Sequence, residues 1–342
     1  MKSEMLRSFL LTLLCLIAGW AAAADRVRFA TNWKAQAEHG GFYQALADGL
    51  YADRGLDVQI LQGGPMVNGV AQLAVKRIDF LMGSNLIQTF DGIKQGLPSV
   101  TVAGFFQKDV QCLVAHPNQG NDRWEDLPDA TIFVGNAGKR TYFRWLTSAH
   151  GFSDRRARTY TFNPAPFLVN KQSIQQGYAT AEPLAIGKAL GHEPLVYLLA
   201  DHGWSTYSTL LDTRRDLIDS KPDLVQRFVD ASILGWVRYL YGDPTAAHQL
   251  IRADNPEMTD EQLTYSRRQM LERGIVDSGA AETEGIGTLD PDRVRDFLKK
   301  MIAAGLYREG EIDPTKGYTT RFVNRGVGVD EKRRLVASST TP

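Results

Sequence analysis

The chain has 342 residues, of which 39 are lysine or arginine and 39 are aspartate or glutamate, so its formal net charge is zero. This balance argues against nucleic acid as a partner, because nucleic-acid binding selects a basic surface. Of the two cysteines, Cys15 lies in the leader described next and Cys112 in the body of the chain, so we expect no internal disulfide.

Residues 1–24 have the composition of a secretory signal peptide. A basic start and an apolar block over 9–20 precede small residues that end at Ala24. The block is shorter than the roughly 20 apolar residues of a membrane span. We therefore predict cleavage after Ala24 and an exported chain of 318 residues, long enough for two domains. Cys15 suggests a lipid-attachment site, but Leu14 is bulkier than the residue that such processing needs.

Short apolar runs alternate with amphipathic segments up to about residue 200, which is typical of an α/β protein. The runs predict strands over 26–31, 56–61, 78–82, 99–106, 111–117, 130–135 and 158–162, and a further strand ending in 177–183. Helices are predicted after the first strand, where Phe42, Leu46 and Leu50 share one face, and over 66–76, 139–150 and the residues after 183.

Beyond residue 204 the pattern becomes mainly helical. After a predicted strand over 205–213, a long helix begins with Pro222 in its first turn, and Asp243-Pro244 separates it from a second helix. The chain is predicted to stay helical, with polar loops, to about residue 307. The charged, then Ser/Thr-rich segment 326–342 is predicted to be a flexible tail.

Five segments carry a family resemblance, in the order "NW…H…FYQALADGLYADRGLDV", "VKRIDFLMGS", "VGNAGKR", "GYATAEP" and "KPDLVQRFVDA". With this order and spacing the chain resembles the NMT1/THI5-like periplasmic solute-binding proteins, relatives of the sulfonate and nitrate binders. The resemblance covers nearly all of residues 26–310.

The resemblance implies a two-lobed α/β fold of the type II periplasmic-binding-protein kind, with mixed sheets flanked by helices and two crossovers between lobes. Lobe one would comprise 25–108 and 205–325, and lobe two 109–204. It also implies a monomeric periplasmic protein that passes a small-molecule ligand to the permease and ATPase subunits of an ABC importer. The same fold can instead serve as a ligand sensor for a membrane signalling partner.

Ligands of open α/β sheets bind outside the carboxyl ends of the strands. Reading each predicted strand exit, and the helix after the first one, gives the candidate ligand-binding residues Asn32, Trp33, His39, Tyr43, Ser84, Asn85, Gly135, Asn136, Tyr178 and Glu182.

Several of these residues have two interpretations. Trp33 either stacks on a flat ligand or packs the base of the helix, and Asn32 either contacts the ligand or caps that helix. His39 and Tyr43, one helical turn apart, either face the cleft or belong to the core. Glu38 lies in the same polar segment.

Glu182 precedes Pro183 at a predicted helix start, where a carboxylate is favourable. In thiamine-precursor binders of the family, the matching glutamate accepts hydrogen bonds from an aminopyrimidine; the alternative here is a capping carboxylate. The turn "GNAGKR" lacks the spacing of a phosphate loop but could hold an anion or a carbonyl oxygen. Sulfonate binders are serine-rich at this turn, whereas this chain has Asn136 and Thr141.

The sequence favours binding over catalysis. The family's pyrimidine synthases need a lysine, a histidine and a cysteine-rich run, but here the matching loop "SNLIQTFD" has no lysine or histidine and Cys112 is the only cysteine after the leader. The six histidines show no metal-ligand spacing. We therefore predict no enzyme activity, cofactor or metal, and a small nitrogen-bearing heterocycle resembling a thiamine pyrimidine precursor as ligand. The alternative is an alkanesulfonate, taurine or nitrate. At the first crossover, Gln107, Lys108 and Gln111 either reach the ligand or line a hinge.

Overall fold

A computed structural model describes residues 24–339, so the predicted leader up to residue 23, with Cys15, lies outside the described residues. Within that range, no helix combines the length and apolar character needed to cross a membrane. The strands are β1 (Asp25–Ala30), β2 (Leu56–Leu61), β3 (Phe80–Asn85), β4 (Ser99–Phe106), β5 (Gln111–Ala115), β6 (Thr131–Val134), β7 (Ala157–Thr159), β8 (Ser173–Tyr178), β9 (Leu195–Leu198) and β10 (Ser208–Arg214).

Helices cover the faces of the sheets and form most of the chain after β10. They are α1 (Gly40–Ala47), α2 (Gly69–Ala74), α3 (Leu86–Lys94), α4 (Asn136–Arg140), α5 (Tyr142–His150), α6 (Ala165–Val169), α7 (Glu182–Leu190), α8 (Arg215–Ser220), α9 (Pro222–Tyr241), α10 (Thr245–Asp254), α11 (Asp260–Glu272), α12 (Ala281–Glu284), α13 (Pro291–Ala303) and α14 (Val329–Ser339).

The strands form two mixed sheets, ordered β2-β1-β3-β10-β4 and β7-β6-β8-β5-β9. In the first sheet β1 runs parallel to β2 and β3, and β10 is antiparallel to β3 and β4. In the second, β6 runs parallel to β7 and β8, and β5 is antiparallel to β8 and β9. The chain passes from β4 to β5 and returns from β9 to β10. Each crossing starts at the end of one sheet where its parallel strands have their carboxyl termini, and it enters the other sheet at the corresponding end. The carboxyl ends of the parallel strands in the two sheets therefore face each other.

One partly buried arginine on α13 joins both crossings. Arg293 donates from Nε to the Ser205 carbonyl at 2.8 Å, and from Nη2 to the carbonyls of Thr206, at 3.1 Å, and of Gln107. Its guanidinium lies 3.9 Å from the centre of the Tyr207 ring. A second link pairs Lys108 with Asp201 at 2.8 Å. Side-chain contacts therefore join the two crossings to each other.

The core of the first sheet is aromatic, and it is closed by α9. Phe228 stacks on Phe80 with ring centres 4.2 Å apart and lies 5.5 Å from Phe29. Helices α1 and α9 cross closely at two glycines: a side chain at Gly41 would overlap the Trp236 ring, and one at Gly235 would overlap the Gly41 carbonyl oxygen. The second sheet buries Cys112, and this burial raises the pKa of its thiol.

Several segments differ from the prediction, among them β9, where no strand is predicted. The helix predicted over 66–76 is only α2, capped by the Asn68 side chain, because the glycines and proline before it form a loop. The helix predicted over 139–150 is two helices, interrupted at Thr141, whose φ of −121° and ψ of −105° are not helical. The residues after β3, which we read as a loop, form α3.

The predicted tail also contains a helix, α14. Glu331 pairs with Arg238 at 2.6 Å, Lys332 pairs with Asp277 at 2.7 Å, and Leu335 packs against the main core. These contacts attach the segment to the body of the protein through at least residue 335. Residues 340–342 lie beyond the described part of the chain.

The α1–α9 crossing gives a stability prediction. Gly235→Ala should lower the free energy of unfolding by about 1–3 kcal/mol, because the added methyl group forces two packed helices apart. The matched control is Gly187→Ala in α7, where the methyl group meets only ordinary contacts, and there we expect a gain of about 0.4–1 kcal/mol. Urea unfolding of both variants measures the difference, and equal stabilities would contradict the close crossing.

Candidate ligand-binding site

The first-sheet side of the cleft begins at the carboxyl end of β1. Asn32 is exposed, and 44% of Trp33 is exposed although its size would normally bury it. The backbone there is fixed, since the Trp33 carbonyl accepts from Thr31 Oγ1 at 2.7 Å and from the Gly63 amide at 3.1 Å. The Trp33 ring is therefore exposed, and two hydrogen bonds hold its backbone in place.

A cavity of about 420 Å³ adjoins this strand end. Its walls are the residues that follow β1, the first half of β3, the loop before α2 and the first turns of α2 and α3. Asn32, Met66, Val67, Val70, Met82 and Gln88 are among its lining residues. The volume lies within the range of small-molecule sites, and the lining is mostly apolar with a few polar groups, as such sites require.

The end of β3 contributes Ser84 and Asn85. Ser84 is exposed, and both its amide and its hydroxyl donate to Gln88 Oε1, at 3.2 and 3.1 Å. Asn85 caps α3 by accepting from the Ile87 amide at 3.1 Å and donates to Asp109 Oδ2 at 3.4 Å. Asn85 thus joins the first sheet to the first crossing.

Tyr178 and Glu182 lie on the second-sheet side. Tyr178 ends β8 and is 47% exposed, and its amide donates to Glu182 Oε2 at 2.7 Å. Glu182, the first residue of α7, therefore caps the preceding turn through one oxygen. Burial raises the pKa of its carboxyl. The capping interpretation and the binding interpretation are compatible, because a carboxyl group has two oxygens and the Tyr178 amide donates to only one of them, Oε2.

The glycine-rich turn is less suited to an anion than its sequence suggests. The Gly135 amide donates to Gln176 Oε1 at 2.6 Å, and Tyr142 donates to the same oxygen at 3.0 Å. Asn136 begins α4 and is exposed. The first amide of the turn is therefore occupied by a side chain of β8, and α4 has only five residues to supply others.

Three carboxyl groups surround the cleft near the crossings. Glu38 and Asp109 are only 7% and 5% exposed, and Glu182 is the third. Thr180 donates to Glu38, and the Gln111 amide donates to Asp109 at 2.9 Å. Burial raises the pKa of all three carboxyls. Among residues 24–339, no lysine or arginine pairs with any of them.

These carboxyls act together on Tyr178. Surrounding protein raises the pKa of the Tyr178 hydroxyl by desolvation, and the charges of Asp109, Glu182 and Glu38 raise it further. The geometry places these groups near one another, since Gln111, whose amide donates to Asp109, pairs with Tyr178 across β5 and β8, and Glu38 accepts from Thr180. This region offers hydrogen-bond acceptors and negative potential, which favour donors and cations and repel anions.

Two predicted site residues are not brought to the cleft. Tyr43 is 1% exposed and donates to Asp254 Oδ2 at 2.6 Å, which ties α1 to the end of α10. His39 is fully buried, and burial lowers its pKa to about 3, so it is neutral. Both belong to the core, because this side of α1 faces the helices α9 to α11 instead of the second sheet.

The three residues flagged at the first crossing have structural partners. Gln107 donates to the carbonyls of Gly104 and Thr288, and Gln111 donates to the Gly177 carbonyl at 2.9 Å. Lys108 pairs with Asp201 as described above. Of the two interpretations, this arrangement supports the hinge and not ligand contact.

Sequence reasoning passed over Asp109 and Gln176 and did not select Glu38. Asp109 lies within the flagged crossing "QKDVQ", where an acid between Lys108 and Val110 was the available signal. Gln176 precedes Tyr178 by two residues on β8 and so points to the same face. The role of Glu38 depends on Thr180, which is 142 residues away.

Helix α11 holds the exit of β8 from the first-sheet side. The Thr180 carbonyl accepts from Ser266 Oγ at 2.6 Å and Gln262 Nε2 at 2.9 Å, and Tyr265 donates to the Ala179 carbonyl at 3.3 Å. Together with the Glu38–Thr180 bond, these contacts connect the two sides at a third place, next to the crossings.

The described chain, residues 24–339, contains no group of three or more His, Cys, Asp or Glu side chains placed to hold a metal ion. The three carboxyls of the cleft can act on a ligand through hydrogen bonds and through their charge.

Two mixed sheets with facing carboxyl ends, joined by two crossings with a cleft between them, define the periplasmic-binding-protein fold. Solved structures with this fold are similar over most of the chain. SsuA, the periplasmic sulfonate-binding protein from Methylobacillus flagellatus KT, is 14% identical with a TM-score of 0.63, covering 94% of this chain and 98% of that one. The aliphatic sulphonate-binding protein SsuA from Escherichia coli is 13% identical with a TM-score of 0.60, covering 90% and 91%. The nitrate-binding protein NrtA from Synechocystis PCC 6803 is 14% identical with a TM-score of 0.55, covering 93% and 90%.

The family model described as NMT1/THI5 like matches residues 36–247. The chain belongs to the NMT1/THI5-like family, as its sequence segments indicated. A search of curated proteins gives no match.

The buried carboxyls predict a pH-dependent stability. Because burial raises the pKa of Glu38, the folded state holds its proton more tightly than the unfolded state, so this group destabilises the fold as pH rises through its folded pKa. Glu38→Gln should therefore raise the midpoint of thermal unfolding of the ligand-free protein at pH 7.5 by about 2–4 °C, and less at pH 4.

Asp219→Asn, which removes an exposed carboxylate, is the matched control and should change little at either pH. Thermal melts across this pH range test the prediction. A difference between Glu38→Gln and the parent that is the same at both pH values would contradict it.

Proposed function

We propose that this chain is an extracytoplasmic solute-binding protein that delivers a small nitrogen-bearing heterocycle, resembling a thiamine pyrimidine precursor, to the permease and ATPase of an ABC importer. The observation that carries the proposal is the group Glu38, Asp109 and Glu182 beside Tyr178 and Thr180, which has no basic partner within residues 24–339.

The chemistry of an aminopyrimidine fits this environment. Its exocyclic amine donates hydrogen bonds, and its ring takes up a proton readily, so carboxylates stabilise both features. Its flat ring can stack on an aromatic face such as that of Trp33, which is exposed beside the cavity. A sulfonate or nitrate only accepts hydrogen bonds and carries negative charge, so the same carboxylates oppose it.

The two-sided cleft provides a mechanism for signalling that ligand is bound. Trp33 and Ser84 lie on the first-sheet side, and Tyr178 and Glu182 lie on the second-sheet side. A ligand that touches both sides gains its full binding free energy only when the sides are close, so binding shifts the population towards the closed form. A permease or a sensor partner can recognise that form.

The proposed location is the periplasm. The predicted leader would direct the chain across the membrane, and the periplasm is where a binding protein meets its importer. The proposed lobes are 25–108 with 205–325, and 109–204; the grouping of the strands into two sheets supports this division.

A thermal-shift and calorimetric screen of the chain from Asp25 tests this function. We expect aminopyrimidines to raise the unfolding midpoint, by the equivalent of about 2.7 kcal/mol at a ligand concentration of 100 times Kd. Glu182→Gln should weaken binding about tenfold or more through loss of a charge-assisted hydrogen bond, and Trp33→Ala should weaken it through loss of the stacking face.

The control is Glu309→Gln, a matched change at an exposed position, which should leave the affinity unchanged. Stabilisation by taurine, alkanesulfonates or nitrate and not by aminopyrimidines would replace the proposed ligand class with the alternative one.

A further inference from the structure

One turn of the second-sheet side is held by side chains of the first-sheet side. This turn, which we call the binding turn, runs from Tyr178 to Glu182, connects β8 to α7 and carries a proposed ligand contact at each end. Between them, Ala179 and Thr180 have no exposed surface. Helix α11 and Glu38, both on the first-sheet side, make hydrogen bonds to these two residues. The binding turn is therefore buried where the two sides meet.

The carbonyl groups of the binding turn take their donors from α11. The Thr180 carbonyl oxygen accepts from Gln262 Nε2 at 2.9 Å and from Ser266 Oγ at 2.6 Å, and these donors are 82 and 86 positions away along the chain. A buried carbonyl without a donor is unfavourable. Because the donors belong to the other side of the cleft, these bonds can form only while the two sides are in contact.

Helix α11 can release the binding turn at little cost to itself. Ser266 Oγ also lies 2.8 Å from the Gln262 carbonyl oxygen of its own helix, and Gln262 Nε2 donates to Ser266 Oγ at 3.0 Å. When the two sides separate, the Ser266 hydroxyl can donate to that carbonyl, and water can hydrate the Thr180 carbonyl. The contact therefore favours the closed arrangement and still allows it to open.

The effect of such a contact on affinity follows from the population of the closed form. Two chain crossings leave a hinge rotation free, and a third contact away from the crossings restrains it. When only the closed form binds, the apparent dissociation constant is the intrinsic one divided by the closed fraction of the empty protein. A contact that raises this fraction therefore strengthens the binding of every ligand by the same factor.

We propose that Gln262 and Ser266 are positioning residues: by holding Thr180, with Glu38 as a third partner, they keep the empty protein mostly closed. They thereby strengthen the binding of any ligand of the cleft without touching it. Residues at the ends of the binding turn select the ligand, and α11 sets how tightly it is held. The inference rests on the proposed function only in taking those ends as ligand contacts.

Small-angle X-ray scattering of the ligand-free chain from Asp25 tests this inference. We expect the empty parent to scatter as the arrangement described above, and Ser266→Ala combined with Gln262→Met to have a larger radius of gyration, because the Thr180 carbonyl then lacks its donors. The matched control is Thr264→Val at an exposed position of α11, which should scatter like the parent. An empty parent that is already as expanded as the double variant would overturn the inference.

Calorimetry measures the consequence for binding. The probes are the hydroxymethyl-aminopyrimidine half of thiamine and the same ring without its hydroxymethyl group. In the double variant at Gln262 and Ser266 we expect both dissociation constants to rise about tenfold, and by the same factor, as the closed fraction falls to about a tenth. Unchanged constants, or factors that differ between the two probes, would contradict a role through closure alone.

A second pair of variants tests the same contact from the binding turn. Thr180→Val removes the hydroxyl that donates to Glu38, whereas Thr180→Ser keeps it. We expect the valine variant to expand the empty protein and the serine variant to match the parent. Equal scattering by all three would overturn the inference, whatever the protein binds. Failure of the parent to bind either probe would overturn the proposed function alone, because the scattering comparison uses no ligand.

Discussion

The arrangement of this molecule depends on the attachment of both chain crossings to one guanidinium. Arg293 meets carbonyl oxygens of Gln107 on the outward crossing and of Ser205 and Thr206 on the return. Backbone carbonyls at such bends lack strand partners, and a cation with five donors satisfies several of them at once. Because the crossings begin and end at the carboxyl edges of the sheets, fixing them also fixes which strand ends oppose each other across the cleft.

Near the two crossings, three acidic side chains share the same electrostatic situation. Glu38, Asp109 and Glu182 are desolvated acids that oppose folding slightly when ionised, and nothing in residues 24–339 neutralises them. Unpaired buried charges are retained in proteins mainly where they serve function. In the proposed function, a donor or cationic ligand would relieve this unfavourable state, and that relief would favour both binding and closure.

Local patterns predicted much of the fold. β2 spans the predicted residues, and the break at Asp243-Pro244 falls between α9 and α10, because alternation, proline and helix caps act over a few residues. The site was harder to predict. Asn32, Trp33, Ser84, Tyr178 and Glu182 are at strand ends, as expected, but Tyr43 and His39 turn inwards because helices over a hundred residues away cover them. Glu38 and Thr180 are 142 positions apart, and no local pattern reveals such a pair.

Cys112 has a practical consequence for measuring motion between the two sheets. Its thiol is fully buried, and its raised pKa keeps it protonated and unreactive towards alkylating dyes. Cysteines introduced at exposed positions on opposite rims, such as Met66 and Phe162, could then carry a donor and an acceptor fluorophore without altering the native thiol. Single-molecule energy transfer would report how wide the empty cleft opens and how often it closes before any cargo arrives.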